Sequence, residues 1–225
     1  MRYTAEDLMS FGVPYQQAAA LANAVVVPLD SSSGWTQSVS GTAAASIDTA
    51  NKTALLTVQT SAIGEGSNRR MLSLIGDVDS SRIEVVARFS ITNGDVNSRA
   101  SLVLASSTTP DNFVVMAWGD GTVERGALIS NSWFSAGYST AGAVPTDGTG
   151  WLRMRIDGTQ LQFAYGAGTT TTEPTRWNII NNANFSFPST GHIQFDRLDV
   201  GGGHYTTPPA STLAVRFSHL TERKL

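Results

Sequence analysis

WLRMRIDGTQLQFAYG, residues 151–166, decides the fold class. Its apolar side chains recur at every second position, not at every third or fourth. Leu152, Met154 and Ile156 alternate with Trp151, Arg153 and Arg155, and Asp157-Gly158 then breaks the run. Leu161, Phe163 and Tyr165 resume it, with Gln160 and Gln162 on the other side. Period two belongs to a β-strand with one buried face, and Asp-Gly tolerates the positive φ angles of a tight hairpin turn. Such a ribbon is not stable alone. It requires neighbouring strands and a second layer over its apolar face.

The same pattern extends outward. RIEVVARFSI (82–91) puts Ile83, Val85, Ala87, Phe89 and Ile91 on one face, with Glu84, Arg88 and Ser90 opposite. NFVVMAWGDGTVERGALI (112–129) repeats the hairpin plan about Asp120-Gly121. Further strands are expected at 53–60, 69–75, 99–106, 191–200 and 212–219, with polar loops at 108–111, 137–150, 166–174 and 201–209. About ten short strands divided by turn signals predict a mostly β protein, a two-sheet antiparallel sandwich. No repeat of fixed period is present, which argues against a propeller or β-helix.

The first 28 residues follow a different pattern, so the chain divides into a helical anchoring segment, 1–28, and a β-sandwich domain, 29–225. In TAEDLMSFGVPYQQAAALANAV (4–25), Thr4 can cap a helix whose apolar side is Leu8, Met9 and Phe11. Gly12 ends that helix, and Pro14 suits the first turn of a second one. Tyr15, Ala18, Ala19 and Ala22 then form a small-residue face beside Leu21 and Val25. Two helices this short are marginal in water unless they pack on something. Leu8, Phe11, Tyr15, Leu21 and Val25 are the candidate partner-binding anchors of this helical hairpin.

Composition excludes several functions. The net charge is −3 and the 15 Lys and Arg are scattered, so no nucleic-acid or anionic-membrane surface is expected. The apolar run 18–27 is interrupted by Asn23 and stopped by Pro28, too short to span a bilayer. Arg2 followed by Glu6 and Asp7 is the wrong pattern for a signal peptide, which points to synthesis in a cytoplasm. With no cysteine there is neither a disulfide nor a thiolate metal site.

RIEVVARFSI, SRASLVLAS, NFVVMAWGDGTV, WLRMRIDGTQLQFAYG and GHIQFDRLDVGGG, in that order, resemble the strand series of concanavalin A-like (lectin, glucanase, laminin-G-like) sandwiches. A jelly roll of another kind is the rival. The resemblance implies a carbohydrate ligand or a glycosidase. Glycosidases of this type carry two glutamates about an aspartate on one strand, since a retaining mechanism needs two carboxyls about 5–5.5 Å apart. Here Glu6, Glu65, Glu84, Glu124, Glu173 and Glu222 are all more than five residues apart and no Glu-x-Asp occurs. No catalytic residue is therefore assigned, and a non-enzymatic chain is expected.

Other motifs also fall short. GDVDSS (76–81) opens like a calcium loop, but Arg82 and Arg88 stand where Gly and Glu belong. His192, His204 and His219 form no metal-binding pair, so no metal and no cofactor is assigned. VGGGHY (200–205) lacks a following helix and reads as a turn, not a phosphate cradle. Among the aromatic residues near strand ends, Trp118, Trp133 and Tyr138, with Asp120, form the candidate glycan-binding set. Trp118 lies on the opposite parity from Phe113, Val115 and Ala117, which would turn it outward. The alternative is that such aromatics close the ends of the sandwich.

The leader resembles N-terminal docking segments of tailed-bacteriophage virion proteins, through its DL…GVP…AAALA pattern. That resemblance implies a virion protein, on head or tail, oligomeric, with capsid or tail proteins of the same particle as partners and a host surface glycan as the further ligand.

Overall fold

The computed structural model describes residues 24–74, 82–109, 113–119, 122–129, 132–140, 148–157, 160–167, 171–184 and 195–225. Among these, all regular structure is β. The first strands are β1 (Ala24–Val26), β2 (Trp35–Gly41), β3 (Ala43–Asp48), β4 (Thr53–Val58) and β5 (Gly64–Met71). Next come β6 (Arg82–Thr92), β7 (Ser98–Ala105), β8 (Phe113–Gly119), β9 (Thr122–Ile129) and β10 (Ser132–Thr140). The last are β11 (Gly148–Asp157), β12 (Gln160–Ala167), β13 (Asn178–Asn184), β14 (Arg197–His204) and β15 (Leu213–Lys224).

They form two antiparallel sheets. Sheet I runs β13-β12-β11-β6-β15-β4-β3, and sheet II runs β10-β9-β8-β7-β14-β5-β2. The hairpin that decided the fold class is β11–β12, paired from Gly150↔Ala167 to Asp157↔Gln160. Its Leu152, Met154, Ile156, Leu161 and Phe163 join Ile83, Val85, Ala87, Phe89 and Ile91 of β6 on the inner face of sheet I. Leu102, Leu104, Met116, Leu198 and Val200 of sheet II meet them. Burying each of the larger of these side chains contributes roughly 1.5–3 kcal/mol, so the alternation is fixed from both sheets at once.

The N-terminal boundary needs correction. Ala24–Val26 is a strand, paired with Thr221–Arg223 of β15 just past the stretch where β4 pairs with Leu213–Phe217. Val27 follows, its N–H donating to Leu220 O at 2.9 Å, and Val27 and Leu29 are buried in the core. The sandwich thus includes residues assigned to the helical segment, because Val25 and Val27 find a free ladder beside β15. The rest of that segment, with the expected helical hairpin and Leu8, Phe11, Tyr15 and Leu21, lies outside the described residues.

A second correction concerns VGGGHY. These residues are not a turn: β14 continues through all three glycines to His204, between β5 and β7. A Cβ at Gly201 would be driven into Gly66 O of β5, and one at Gly202 (φ 155°) into Arg99 O of β7. Glycine is here the condition for the strand, not its end.

Candidate functional site

Alternation along sheet II decides what faces outward. Val114, Met116 and Trp118 of β8 are buried in the core, so Phe113, Val115 and Ala117 face out. This reverses the expected parity. Trp118, assigned above to an outward glycan surface, lies between the sheets at 3 % exposure. Its ring meets Phe89 edge-on with centroids 5.2 Å apart, and Tyr165 at 5.5 Å. Gly150 makes the room, since a Cβ there would come within 3.2 Å of Trp118 Cζ3. Both faces of β8 are apolar, so alternation alone cannot orient it. The bulk of Trp118 and Met116 is the signal for the inner face.

Of the other candidates, Val25 is half-buried in β1 opposite Glu222. Asp120 lies outside the described residues, as do the calcium-like segment 76–81 and His192. Trp133 and Tyr138 belong to β10, the outermost strand of sheet II. Trp133 pairs with Leu128, in the row of Phe113, and Tyr138 pairs with Glu124, in the row of Ala117. Among the described residues, no group of three or more His, Asp or Glu is placed to hold a metal ion.

The outer face of sheet II is an open trough of about 660 Å³. One wall is apolar: Phe113, Val115 and Ala117 of β8 with Val103 of β7. The opposite wall, from β2 and β5, brings Ser38, Ser40, Glu65, Ser67 and Arg69. Between them runs β14, which supplies Arg197 and Asp199 and then only the bare backbone of Gly202.

Asp199 is the pivot of the trough. Arg197 grips it with Nε to Oδ1 at 2.8 Å and Nη2 to Oδ2 at 3.1 Å. Arg69 approaches from β5, its Nε 3.3 Å from Asp199 Oδ2 and donating to Ser67 Oγ at 3.1 Å. Burial pushes the Asp199 carboxyl above its ordinary value, against the pull of Arg197 and Arg69. At the far end the Arg99 guanidinium lies 4.7 Å over the Tyr205 ring. Tyr205 is braced from below: buried His204 bonds Asp95 at 2.7 Å, and Tyr205 N–H donates to Asn97 O at 3.0 Å. The sequence reading did not single out Arg69, Asp199 and Arg197. Their signal is the i, i+2 spacing of R-x-D-x-G-x-G across 197–203, which places arginine, aspartate and two glycines on one face.

No family model matches this sequence, and no curated protein does. Solved structures do resemble the fold. A lichenase derived from a mouse hindgut metagenome superimposes over 90% of this chain and 100% of its own, with TM-score 0.61 and 7% identity. The CBM2 module of the evolved Dit of Lactobacillus casei BL23 phage J-1 matches over 90% and 96%, with TM-score 0.60 and 12% identity. The exoplasmic/lumenal domain of VIP36, in a form bound to Ca2+ and Man3GlcNAc, matches over 90% and 88%, with TM-score 0.53 and 12% identity. Against a mutant of the GH43 protein BlXynB from Bacillus licheniformis, the chain spans only 35% of the other's length, with TM-score 0.51. These likenesses show the fold alone, a two-sheet antiparallel β-sandwich.

Proposed function

We propose that this chain is a non-enzymatic, glycan-binding β-sandwich of a tailed-bacteriophage virion, tethered to capsid or tail protein through the residues before β1. The observation that carries the glycan reading is the trough. It sets an apolar wall, suited to the faces of sugar rings, against a wall of hydroxyl, guanidinium and carboxylate groups suited to their edges. Its two lining carboxylates are Glu65 and Asp199, and Asp199 is engaged by two arginines. That arrangement favours holding a ligand over acid–base work on it. The phage Dit module and the VIP36 domain, both similar in fold, support a carbohydrate ligand, and the phage module supports a virion setting.

The layout suits a tether. The chain enters the sandwich at β1, in sheet I, while the trough opens on sheet II. A particle docked through Leu8, Phe11, Tyr15 and Leu21 would leave the trough free, and homo-oligomeric copies would add avidity to weak sites. A glycan array probed with the whole chain tests the reading. Binding to host-surface glycans is expected, reduced about tenfold or more by Phe113→Ala through loss of the stacking wall. An array with no bound glycan would overturn it.

A further inference from the structure

We infer that the trough selects glycans carrying an anionic oxygen group, a ring carboxylate or a phosphate, and that Arg69 and Arg197 read it. The inference rests on the glycan-binding reading above. Two guanidinium groups share the single carboxylate of Asp199, which leaves one positive charge in excess at this end of the trough. Asp199 serves as a positioning residue. With its side chain 6% exposed it offers little to a ligand, yet it fixes the plane of the Arg197 guanidinium by two hydrogen bonds, while Ser67 Oγ and the Asp199 charge hold Arg69 Nε.

Both arginines line the trough and keep donors free. Among the described residues, Arg69 Nη1 and Nη2 and Arg197 Nη1 carry no protein acceptor. The Arg69 side chain is 37% exposed and that of Arg197 is 19% exposed, and both line the trough. Oriented guanidinium groups of this kind match the geometry of carboxylate and phosphate oxygens. Glu65, the other lining carboxylate, is four residues further along β5, about 13 Å away at ~3.3 Å per residue. It does not neutralise this end. Phe113, whose strand row contains Arg197, supplies apolar surface for the ring that bears the charged group.

The test is calorimetric titration of the whole chain with three probes: tetragalacturonate, its methyl ester, and a glycerol-phosphate oligomer. The expected result is that tetragalacturonate or the phosphate oligomer binds about tenfold or more tightly than the ester, with affinity falling as salt rises. Whichever of the two binds more tightly identifies carboxylate or phosphate as the group read. Arg69→Gln should erase the preference in a chain that still unfolds cooperatively, and Arg69→Lys should restore part of it. Binding of the ester as tight as that of the acid, or a preference that survives Arg69→Gln, would overturn the inference. If only neutral glycans bind on the array, in a Phe113-dependent manner, the selection falls and the glycan reading stands. If nothing binds at all, both fall.

Discussion

On the outside of sheet I, Trp151 and Val86 are fully buried although neither belongs to the core between the sheets. Residues 171–177 run along this face. Pro174 sits so close over Gly166 that a Cβ there would meet its Cγ at 2.6 Å, and the Arg153 guanidinium lies 4.8 Å from the Trp177 ring. Glu173 pairs with Arg223, which also donates to Glu84 Oε1 at 2.8 Å. His219 packs on Trp151 at 5.3 Å, and burial holds its imidazole below the ordinary value. The outside of sheet II has the same alternation and the same stock of arginines and carboxylates, but glycines in its central strand and an open trough above them. A sandwich face becomes a site when its strands withhold bulk and its ion pairs are left uncovered. Strand order alone does not decide it.

Trp151→Ala tests whether the covered face is packed like a true interior. A loss of about 3–5 kcal/mol in urea unfolding is expected, equal to that of Trp118→Ala between the sheets. A loss of a few tenths would show that residues 171–177 rest on sheet I without packing, and the contrast with sheet II would dissolve. On the open face the corresponding change is an addition. Gly202→Ala must adopt φ near 155° and push its methyl group at Arg99 O, so a loss of about 2–3 kcal/mol is expected from the same measurement. A neutral result would mean that β14 can slide relative to β7 and that the trough floor is soft.

The edge of sheet I gives a smaller effect. Removal of residues 1–23 should leave the melting transition unchanged and take the chain off purified particles. Removal of residues 1–28 also strips β1 and Val27, at an expected further cost of about 2 kcal/mol. Equal stability of the two truncations would place the boundary after Pro28 and make β1 incidental. A Δ1–23 chain that still joined particles would end the tether.

The fold was legible wherever one face of a strand is apolar and the other is not. β6, β11 and β12 read correctly because Arg153, Arg155, Gln160 and Gln162 mark the outside. Edge strands were not legible. TQSVS in β2 and NIINNAN in β13 border solvent and need no apolar alternation, so the count of about ten strands fell short. β5, GEGSNRRM, lies inside sheet II, yet its glycines and polar residues show no apolar alternation, so it was placed several residues late. The site was legible in its chemistry but not in its position. Arg69 and Arg197 looked scattered because the whole of β6 to β13 lies between β5 and β14 in the chain, and only the pairing of those two strands brings Arg69 onto Asp199. Apolar residues on both faces of β8 left its orientation to bulk, and the parity was taken the wrong way.

The smallest effect belongs to the seam between the two sheets. Glu222 of β15 is fully buried, and its Oε2 accepts the N–H of Ser73 at 2.6 Å and of Leu74 at 3.2 Å, just past the end of β5. Its Oε1 has no partner among the described residues. Burial pushes the carboxyl above its ordinary value of 4.5, while Arg70 and the two N–H groups oppose the shift without cancelling it. The folded state therefore holds this proton more tightly than the unfolded chain does. The resulting stabilisation is complete below pH 4.5 and is lost as pH rises through the folded-state value. Glu222→Gln keeps an amide oxygen for Ser73 and Leu74 and has no charge to bury. Its melting temperature should match the wild type in acid and exceed it increasingly toward neutral pH. Parallel melting curves across that range would show that the seam carries its charge without cost.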